Sequence, residues 1–271
     1  MIQIFNDDCA NIHASIPTYD ALITDPPYNI STPNGFCSNG NTFGGQFGMD
    51  FGEWDKGFDV IGWIEPAVKN LKKGGNIIIF NDWKNLGSIQ EELNRIGCEP
   101  KRCLIWEKTN PTPFNKNRLF VNTVEFMVWA VKKGGHWTFN RQKSNFETGV
   151  FHYPSNARNL HPTQKSLNLI KEILLILTNE NDLIYDPFAG SGTIGVAANI
   201  LNRQYIGVEK ENKYFKLMTK RLKEEGINDT NNISQFFKWS RFKSEYLVER
   251  ESQIGMLMLL MTLIGLPRLI K

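Results

Sequence analysis

The sequence has no Cys-x-x-Cys pair, no histidines at metal-ligand spacing and no apolar run long enough to cross a bilayer. Each absence removes a class of protein. Cys9, Cys37, Cys98 and Cys103 offer no zinc-finger pattern, and His13, His136, His152 and His161 fall at no ligating interval. Reduced thiols and no metal are therefore expected. The most apolar stretch, Ile254 to Leu266, spans 13 residues and contains glycine and threonine; a membrane span needs roughly 20. The N-terminal MIQIFNDDCA lacks a basic leader followed by an apolar run and a cleavage site, so no export signal is expected and the cytoplasm is the expected location.

What is present is a chain of 271 residues, 41% of them hydrophobic. That is enough to bury a sizeable core in one large domain, with or without an insertion. The net charge of +3 hides an asymmetry: Lys101 to Lys171 holds twelve Lys/Arg against Glu107, Glu125 and Glu147, a balance of +9, and the remainder carries −6. A phosphate-facing segment on a neutral or acidic body would have this distribution, as would a solvated lysine-rich surface.

Strands and helices alternate along the chain. Asp20–Thr24 reads as a short buried strand that Asp25-Pro26 ends, because proline cannot continue a central ladder. Glycine and asparagine crowd residues 31–53, giving a loop long enough to be functional or disordered. Trp63–Leu71 has helical spacing and a basic-then-glycine stop at Lys72 to Gly75. Asn76–Phe80, Arg102–Trp106, Thr123–Val131, Asp182–Tyr185 and Gln204–Val208 read as strands. Ile89–Ile96, Gln164–Leu177 (capped by Thr163) and Thr193–Leu201 read as helices. The alternation implies a doubly wound parallel sheet.

Two short motifs carry chemistry. Asp186-Pro187-Phe188-Ala189-Gly190-Ser191-Gly192-Thr193 lies between an expected strand and helix, Gly195 completes GxGxxG spacing, and Glu209 ends the next strand 19 residues after Gly190. Such a unit binds a nucleotide: glycines admit a close approach, the helix start favours an anion, and the terminal acid suits a ribose diol. It does not by itself separate NAD from S-adenosylmethionine, since both carry a ribose and an anion. Taken alone, the glycines could also serve packing.

The second motif is Asp25-Pro26-Pro27-Tyr28. An exocyclic base amine is a poor nucleophile because its lone pair is delocalised into the ring. Two acceptors on its N–H bonds, the Asp25 carboxylate and the Pro26 carbonyl, would make the nitrogen pyramidal, while Pro26 and Pro27 fix the backbone and bring no competing N–H. Tyr28 could stack on a base swung out of the duplex. In isolation the tetrapeptide is also a rigid turn.

The set TDPPYN near the N-terminus, HPTQK at residues 161–165 and DPFAGSGT at 186–193 resembles the amino-methyltransferases that act on DNA at adenine N6 or cytosine N4. The order, tetrapeptide before glycine loop, is that of their circularly permuted beta class, and the likeness runs from about Met1 to Leu222. It implies a Rossmann-like α/β sheet with an inserted target-recognition region, S-adenosylmethionine as cofactor, DNA as partner and, often in the family, a homodimer. Asp25 to Tyr28 would be catalytic. Asp186, Phe188, Gly190, Ser191, Gly192 and Thr193 would wrap the cofactor and Glu209 would hold its ribose. Asp8 and Cys9 match the family's step near the cofactor adenine. Lys165 would meet the methionine carboxylate at the start of its helix, with His161, Thr163 and Gln164 alongside. Ser166 stands where the family usually has proline; either suits a first helical turn. Adenine is expected over cytosine because the motif begins with Asp; cytosine enzymes more often have Ser.

By the same likeness, the domain would span residues 1–226, with target recognition at about 109–160 and a tail, 227–271, of no assigned role. Lys132, Lys133, Arg141, Lys143 and Arg158, interleaved with aromatic residues, are the expected DNA contacts, although those aromatics would also serve as the insertion's own small core. The rivals are a nicotinamide oxidoreductase, which leaves two motifs without a role, and a decayed, non-catalytic DNA-binding scaffold. Protein glutamine methyltransferases carry a related Pro-Pro-Tyr motif after their cofactor loop, the reverse of the order here.

Overall fold

A computed structural model describes residues 1–31, 55–112, 120–155 and 164–227. The glycine-rich stretch after Ser31, Arg158, His161, Thr163 and the tail containing Ile254 to Leu266 lie outside them. The elements in chain order are β1 (Ile2–Phe5), α1 (Cys9–Ile12), β2 (Tyr19–Thr24), α2 (Ile64–Val68), β3 (Leu71–Asn81), α3 (Leu86–Arg95), β4 (Cys98–Lys108), β5 (Val124–Lys132), β6 (Val150–Tyr153), α4 (Leu167–Leu177), β7 (Leu183–Asp186), α5 (Thr193–Ile200), β8 (Gln204–Val208) and α6 (Asn212–Glu224).

The strands form one sheet in the order β1-β8-β7-β2-β3-β5-β4-β6. Its centre is apolar on both faces: Leu22, Ile23, Ile77 to Phe80 and Ile184 are fully buried, as expected of strands covered on both sides. From the central pair β7–β2 the chain runs outward in opposite directions, β7 through α5 to β8 and β2 through α2 to β3. Right-handed crossovers then put α2 and α5 on opposite faces, where α3 joins α2 and α4 joins α5. This reversal of winding makes a crevice at the carboxyl ends of β7 and β2, the usual ligand position in such sheets.

Most of the sheet is parallel, but β5 is antiparallel to both β3 and β4. The expectation of a parallel sheet fails at this strand: among the described residues no helix lies between β4 and β5, and β5 pairs antiparallel to β4. The reversal has a functional consequence. It brings the start of β5, with Glu125, to the crevice edge, and sends its end, with Lys132, to the opposite edge.

Two other expectations are revised. Lys72 to Gly75 does not stop a helix: it lies within β3, and α2 ends earlier. Gly74, at φ +81°, is required there by a close approach, since a Cβ would meet the His136 carbonyl oxygen at 2.2 Å. The helix expected from Gln164 begins at Leu167, behind an extended Ser166. Gln164 and Lys165 are thereby left in the connection that enters the crevice.

Candidate active site

The carboxyl ends of β1, β8, β7, β2 and β3 open on one cavity of about 1030 Å³. Its wall includes Asp8, Asp25, Tyr28, Lys165, Phe188 and Glu209, so the structure brings the described residues of all three motifs together.

The glycine loop occupies the β7–α5 turn. Gly190 and Gly192 both have positive φ, +52° and +75°; the space beside Gly190 is open, while a Cβ on Gly192 would strike the Met218 side chain at 2.7 Å. Asp186 anchors the loop from beneath. It is fully buried, and its carboxylate accepts from the Thr24 hydroxyl (2.7 Å), the Tyr205 hydroxyl (2.9 Å) and the Phe188 amide (3.2 Å). Burial pushes its pKa up to about 7 against those donors. Asp186 thus ties β7 to β2 and β8. Buried Arg221 braces the other side of the loop, donating to the Ser191 carbonyl oxygen at 3.2 Å and the Thr193 hydroxyl at 2.8 Å.

Glu209, just past β8, accepts from the amides of Gly190 (2.8 Å) and Glu211 (2.7 Å), and burial raises its pKa. The Phe188 ring stands edge-on to Phe58 and Trp63, with centroids 5.5 and 5.0 Å away, and forms an apolar wall. Across the opening, Asp8 caps α1 through the Ala10 amide and pairs with Lys210 at 3.0 Å. Its neighbour Cys9 is buried, with the thiol pushed up to about 12 by burial, which makes it a packing group and no nucleophile.

The tetrapeptide leaves β2 beside the glycine loop. Asp25 accepts the Tyr28 hydroxyl on Oδ1 at 2.7 Å and pairs with the Lys165 ammonium through Oδ2 at 2.6 Å. Burial raises the Asp25 pKa, Lys165 opposes the shift and the charge on Glu125 adds to it. Lys165 is itself buried, lies 3.0 Å from Glu125 and sits 5.4 Å above the Tyr28 ring centroid. Glu125 pairs in turn with Lys108 at 2.7 Å. Burial alone would raise the Glu125 pKa, but the two ammonium groups hold it down at about 2. The result is a chain of alternating charge, Lys108, Glu125, Lys165 and Asp25, in which each buried charge has an opposite neighbour.

The backbone after Asp25 is clamped as firmly. Asp55, almost wholly buried, accepts the consecutive amides of Tyr28 (2.8 Å), Asn29 (2.8 Å), Ile30 (2.9 Å) and Ser31 (2.7 Å). Asn85 donates to the Tyr28 carbonyl oxygen at 2.8 Å. Asn29 adopts φ +54°, which lets the chain turn there.

Sequence reasoning missed Glu125, Lys108, Asp55 and Asn85. Glu125 left one signal, as the lone charge within the apolar run of β5; a carboxylate there must be paired. Asp55 left none, since its partners are backbone amides 24 to 27 residues away.

A family model described as DNA methylase, covering N6 and N4 methyltransferases, matches residues 19–220. The chain is 36% identical over 253 residues to the type II methyltransferase M2.DpnII of Streptococcus pneumoniae, covering 85% of this chain and 92% of that one. The chain belongs to this DNA methylase family. The methylase is also 30% identical over 277 residues to the type II methyltransferase M.HinfI of Haemophilus influenzae, covering 92% of this chain and 76% of that protein. Among solved structures it superposes on the M1.HpyAVI–SAM complex with a TM-score of 0.67 at 34% identity, over 82% of this chain and 99% of that one. The cytosine-N4-specific PvuII DNA methyltransferase shares the fold, with a TM-score of 0.61 at 17% identity, over 87% of this chain and 90% of that one.

Of the expected DNA contacts, the four in the described residues, Lys132, Lys133, Arg141 and Lys143, do not line this cavity. Lys132 ends β5 at the opposite edge, where its ammonium donates to the carbonyls of Val68 (2.9 Å), Lys69 (3.0 Å) and Leu71 (2.8 Å) at and just after the end of α2. It serves as a helix C-cap. Lys133 follows it there, bonding through its amide to Gly97. Arg141 donates to the Asn145 carbonyl and Lys143 pairs with Glu147 and Glu172, in a stretch whose Asn140 is bound to the end of α4. Residues 133–149 thus leave the far end of β5 and run to the start of β6, which is level with Ile105 on β4, because β5 is antiparallel and β6 parallel to β4. The aromatics make no insertion core: Trp137, Phe139 and Phe146 are exposed, with Phe139 stacked on Trp129, and only Phe151 packs inside.

Among the described residues no helix is long and apolar enough to cross a membrane, and no cluster of three or more His, Cys, Asp or Glu residues could hold a metal ion.

Proposed function

We propose that this methylase transfers the methyl group of S-adenosylmethionine to N6 of adenine in DNA, on a base swung out of the duplex, as a permuted member of the beta class. One observation carries the reading: the Asp25 carboxylate, held by Tyr28 and Lys165, faces the same cavity as the glycine loop and Glu209. At about 1030 Å³ the cavity is at the upper end of the range for one small ligand, roughly 300–1000 Å³, and suits a cofactor beside a base.

The residues fit the cofactor. Open space at Gly190 admits an anionic end near the start of α5, Glu209 can accept from ribose hydroxyls, and the Phe188 wall offers an apolar face. When bound, S-adenosylmethionine supplies an electrophilic methyl on a sulfonium. The protein does the rest. Asp25 accepts one N–H of the target amine and the Pro26 carbonyl the other, directing the nitrogen lone pair at the methyl. Tyr28 orients Asp25 and offers its ring to the base. Lys165, expected beside the methionine carboxylate, acts in this reading on Asp25 and keeps it ionised. Holding the reacting atoms in line supplies about 7–11 kcal/mol of the acceleration.

Adenine is favoured over cytosine N4 because the motif begins with Asp25, the adenine form in the family it resembles. Residues 1–226 form the catalytic domain and 227–271 a tail. DNA recognition belongs to the connections that start and end at the crevice edge, 109–122 and 154–163, which include Arg118 and Arg158. DNA is the partner, a second copy of the chain is a candidate one through the family resemblance, and the reading places the protein in the cytoplasm. The test is Asp25→Ala, which should still bind S-adenosylmethionine while transfer falls roughly 100-fold or more, the scale for removing one preorganised hydrogen-bonding group from the reacting centre. Near-normal transfer by a folded Asp25→Ala protein would refute it.

A further inference from the structure

The last residue of β3 carries a hydrogen-bond donor that the reaction as described does not use. Asn81 is 1% exposed. Its side-chain oxygen accepts the Asp82 amide at 2.9 Å and the Asn85 side-chain amide at 2.7 Å. Those two donors fix which way the Asn81 amide points: reversed, its NH₂ would face both of them with nothing to accept. The Nδ2 group is therefore turned away from them, and no atom of the described residues accepts its hydrogens. A buried donor without a partner is costly, which makes it a candidate for contact with a ligand.

Its place says which ligand. Asn81 lines the same cavity as Asp25. On the sheet, Thr24 is level with Ile79, so Asn81 is level with the start of the tetrapeptide. On its other side it is level with Phe126, the neighbour of Glu125. Asn85, which holds the Asn81 oxygen, also holds the Tyr28 carbonyl. The free N–H and the tetrapeptide are thus locked to each other through one side chain.

We infer that Asn81 donates a hydrogen bond to a ring nitrogen flanking the target amine, and so selects the class of base that enters the site. This rests on the reading that Asp25 and Pro26 accept from that amine. Two acceptors and an adjacent donor match a base that presents an amine beside an unprotonated ring nitrogen. Adenine does so with N6 between N1 and N7, and cytosine with N4 beside N3. Guanine presents its amine between N1–H, donor against donor, and N3, which lies on the sugar edge beside the glycosidic bond, and thymine has no amine.

The test uses the intact protein and duplexes carrying its methylated sequence, with the target adenine replaced by 1-deaza-, 7-deaza- or 3-deazaadenine. Each swaps one ring nitrogen for C–H, and the 3-position is remote from the amine. Wild type should be slowed about 10- to 100-fold in kcat/KM by the 1- or the 7-substitution, the scale for leaving a buried donor unpaired, and not by the 3-substitution. Asn81→Leu should be slowed by a similar factor on adenine and lose nothing more on the sensitive analogue. Changes in the amine's own reactivity affect both proteins alike, so the coupling isolates the hydrogen bond. Wild type responding equally to all three analogues, or to none, overturns the inference, as does an Asn81→Leu protein that stays as sensitive as wild type. If Asn81→Leu does not fold, the three analogues on wild type still decide. Failure here with Asp25→Ala inactive refutes Asn81 alone, whereas an active Asp25→Ala refutes the reading beneath it.

Discussion

The Lys165 ammonium lies 2.6 Å from the Asp25 carboxylate and 3.0 Å from Glu125, so one buried cation is shared by a carboxylate at the end of β2 and another at the start of β5. Burial favours a neutral Asp25, and Lys165 is the principal group opposing it. Only the ionised form accepts from the amine without offering a competing proton.

The sign of the pH effect follows. Activity should rise with pH as Asp25 ionises. Lys165→Met removes the group that lowers the Asp25 pKa, leaving burial and the Glu125 charge to raise it further. The acid limb of kcat/KM should then move to higher pH, as follows when an adjacent opposite charge is removed. A pH profile for a folded variant checks this, and an unmoved limb would show that Lys165 does not act on Asp25.

Asp55 holds four consecutive amides shortly after Asp25, and these bonds occupy both of its carboxylate oxygens. Asp55→Ala should leave cofactor affinity within a few-fold and lower kcat about 100-fold, the cost of displacing a positioned group by a fraction of a bond length. Calorimetry with the cofactor beside single-turnover transfer separates the two effects.

Glu209, proposed above to hold the ribose, accepts the Gly190 amide and is thereby tied to the glycine loop. Glu209→Ala should weaken S-adenosylmethionine binding about 10- to 100-fold, as expected when a buried charged acceptor is removed, and leave the methylated DNA sequence unchanged. Calorimetry and mapping of methylated sites read the two. Preference for NAD over S-adenosylmethionine by the intact protein would contradict the assignment of this pocket.

The charge-rich segment divides into two groups of residues with opposite expectations. Lys132 and Lys133 lie at the edge away from the crevice, with Lys132 bonded to three carbonyls. Replacing both should cost stability and leave the salt dependence of DNA binding unaltered. Arg118→Ala or Arg158→Ala, in the connections that start and end at the crevice edge, should each flatten the slope of log K against log salt by about 0.9 for every phosphate that is no longer neutralised. Titrations at several salt concentrations distinguish the groups, and a flattened slope for the lysine pair would return DNA to the far edge.

Much of this was legible in the sequence because its signals are local. Gln204–Val208 is the expected strand with the expected bounds, and β2 and β7 lie within a residue of theirs, since short apolar runs between turn residues have few other uses. Asp25 and Gly190, which line one cavity, stood out in the sequence because one tetrapeptide and one loop carry their own geometry. Direction was not legible: nothing in the composition of β5 says that it runs antiparallel, yet that decides that Glu125 faces the crevice and Lys132 does not. Nor was the partner of Lys165. A helix-start position was inferred from Thr163 and the Leu167 periodicity, whereas the chain stays extended to Ser166 and turns Lys165 into a carboxylate pair contributed by strands 40 and 140 residues away in sequence.

The most direct measurement is of the product. Duplex DNA from a methylation-free host is incubated with the purified protein and S-adenosylmethionine, digested to nucleosides and analysed by mass spectrometry, with Asp25→Ala in parallel. The predicted result is N6-methyldeoxyadenosine from the wild type and a drop of roughly 100-fold or more for a variant that still binds the cofactor. N4-methyldeoxycytidine would contradict the choice of base, and no methylated nucleoside from a folded, cofactor-bound wild type would contradict the proposed transfer as a whole.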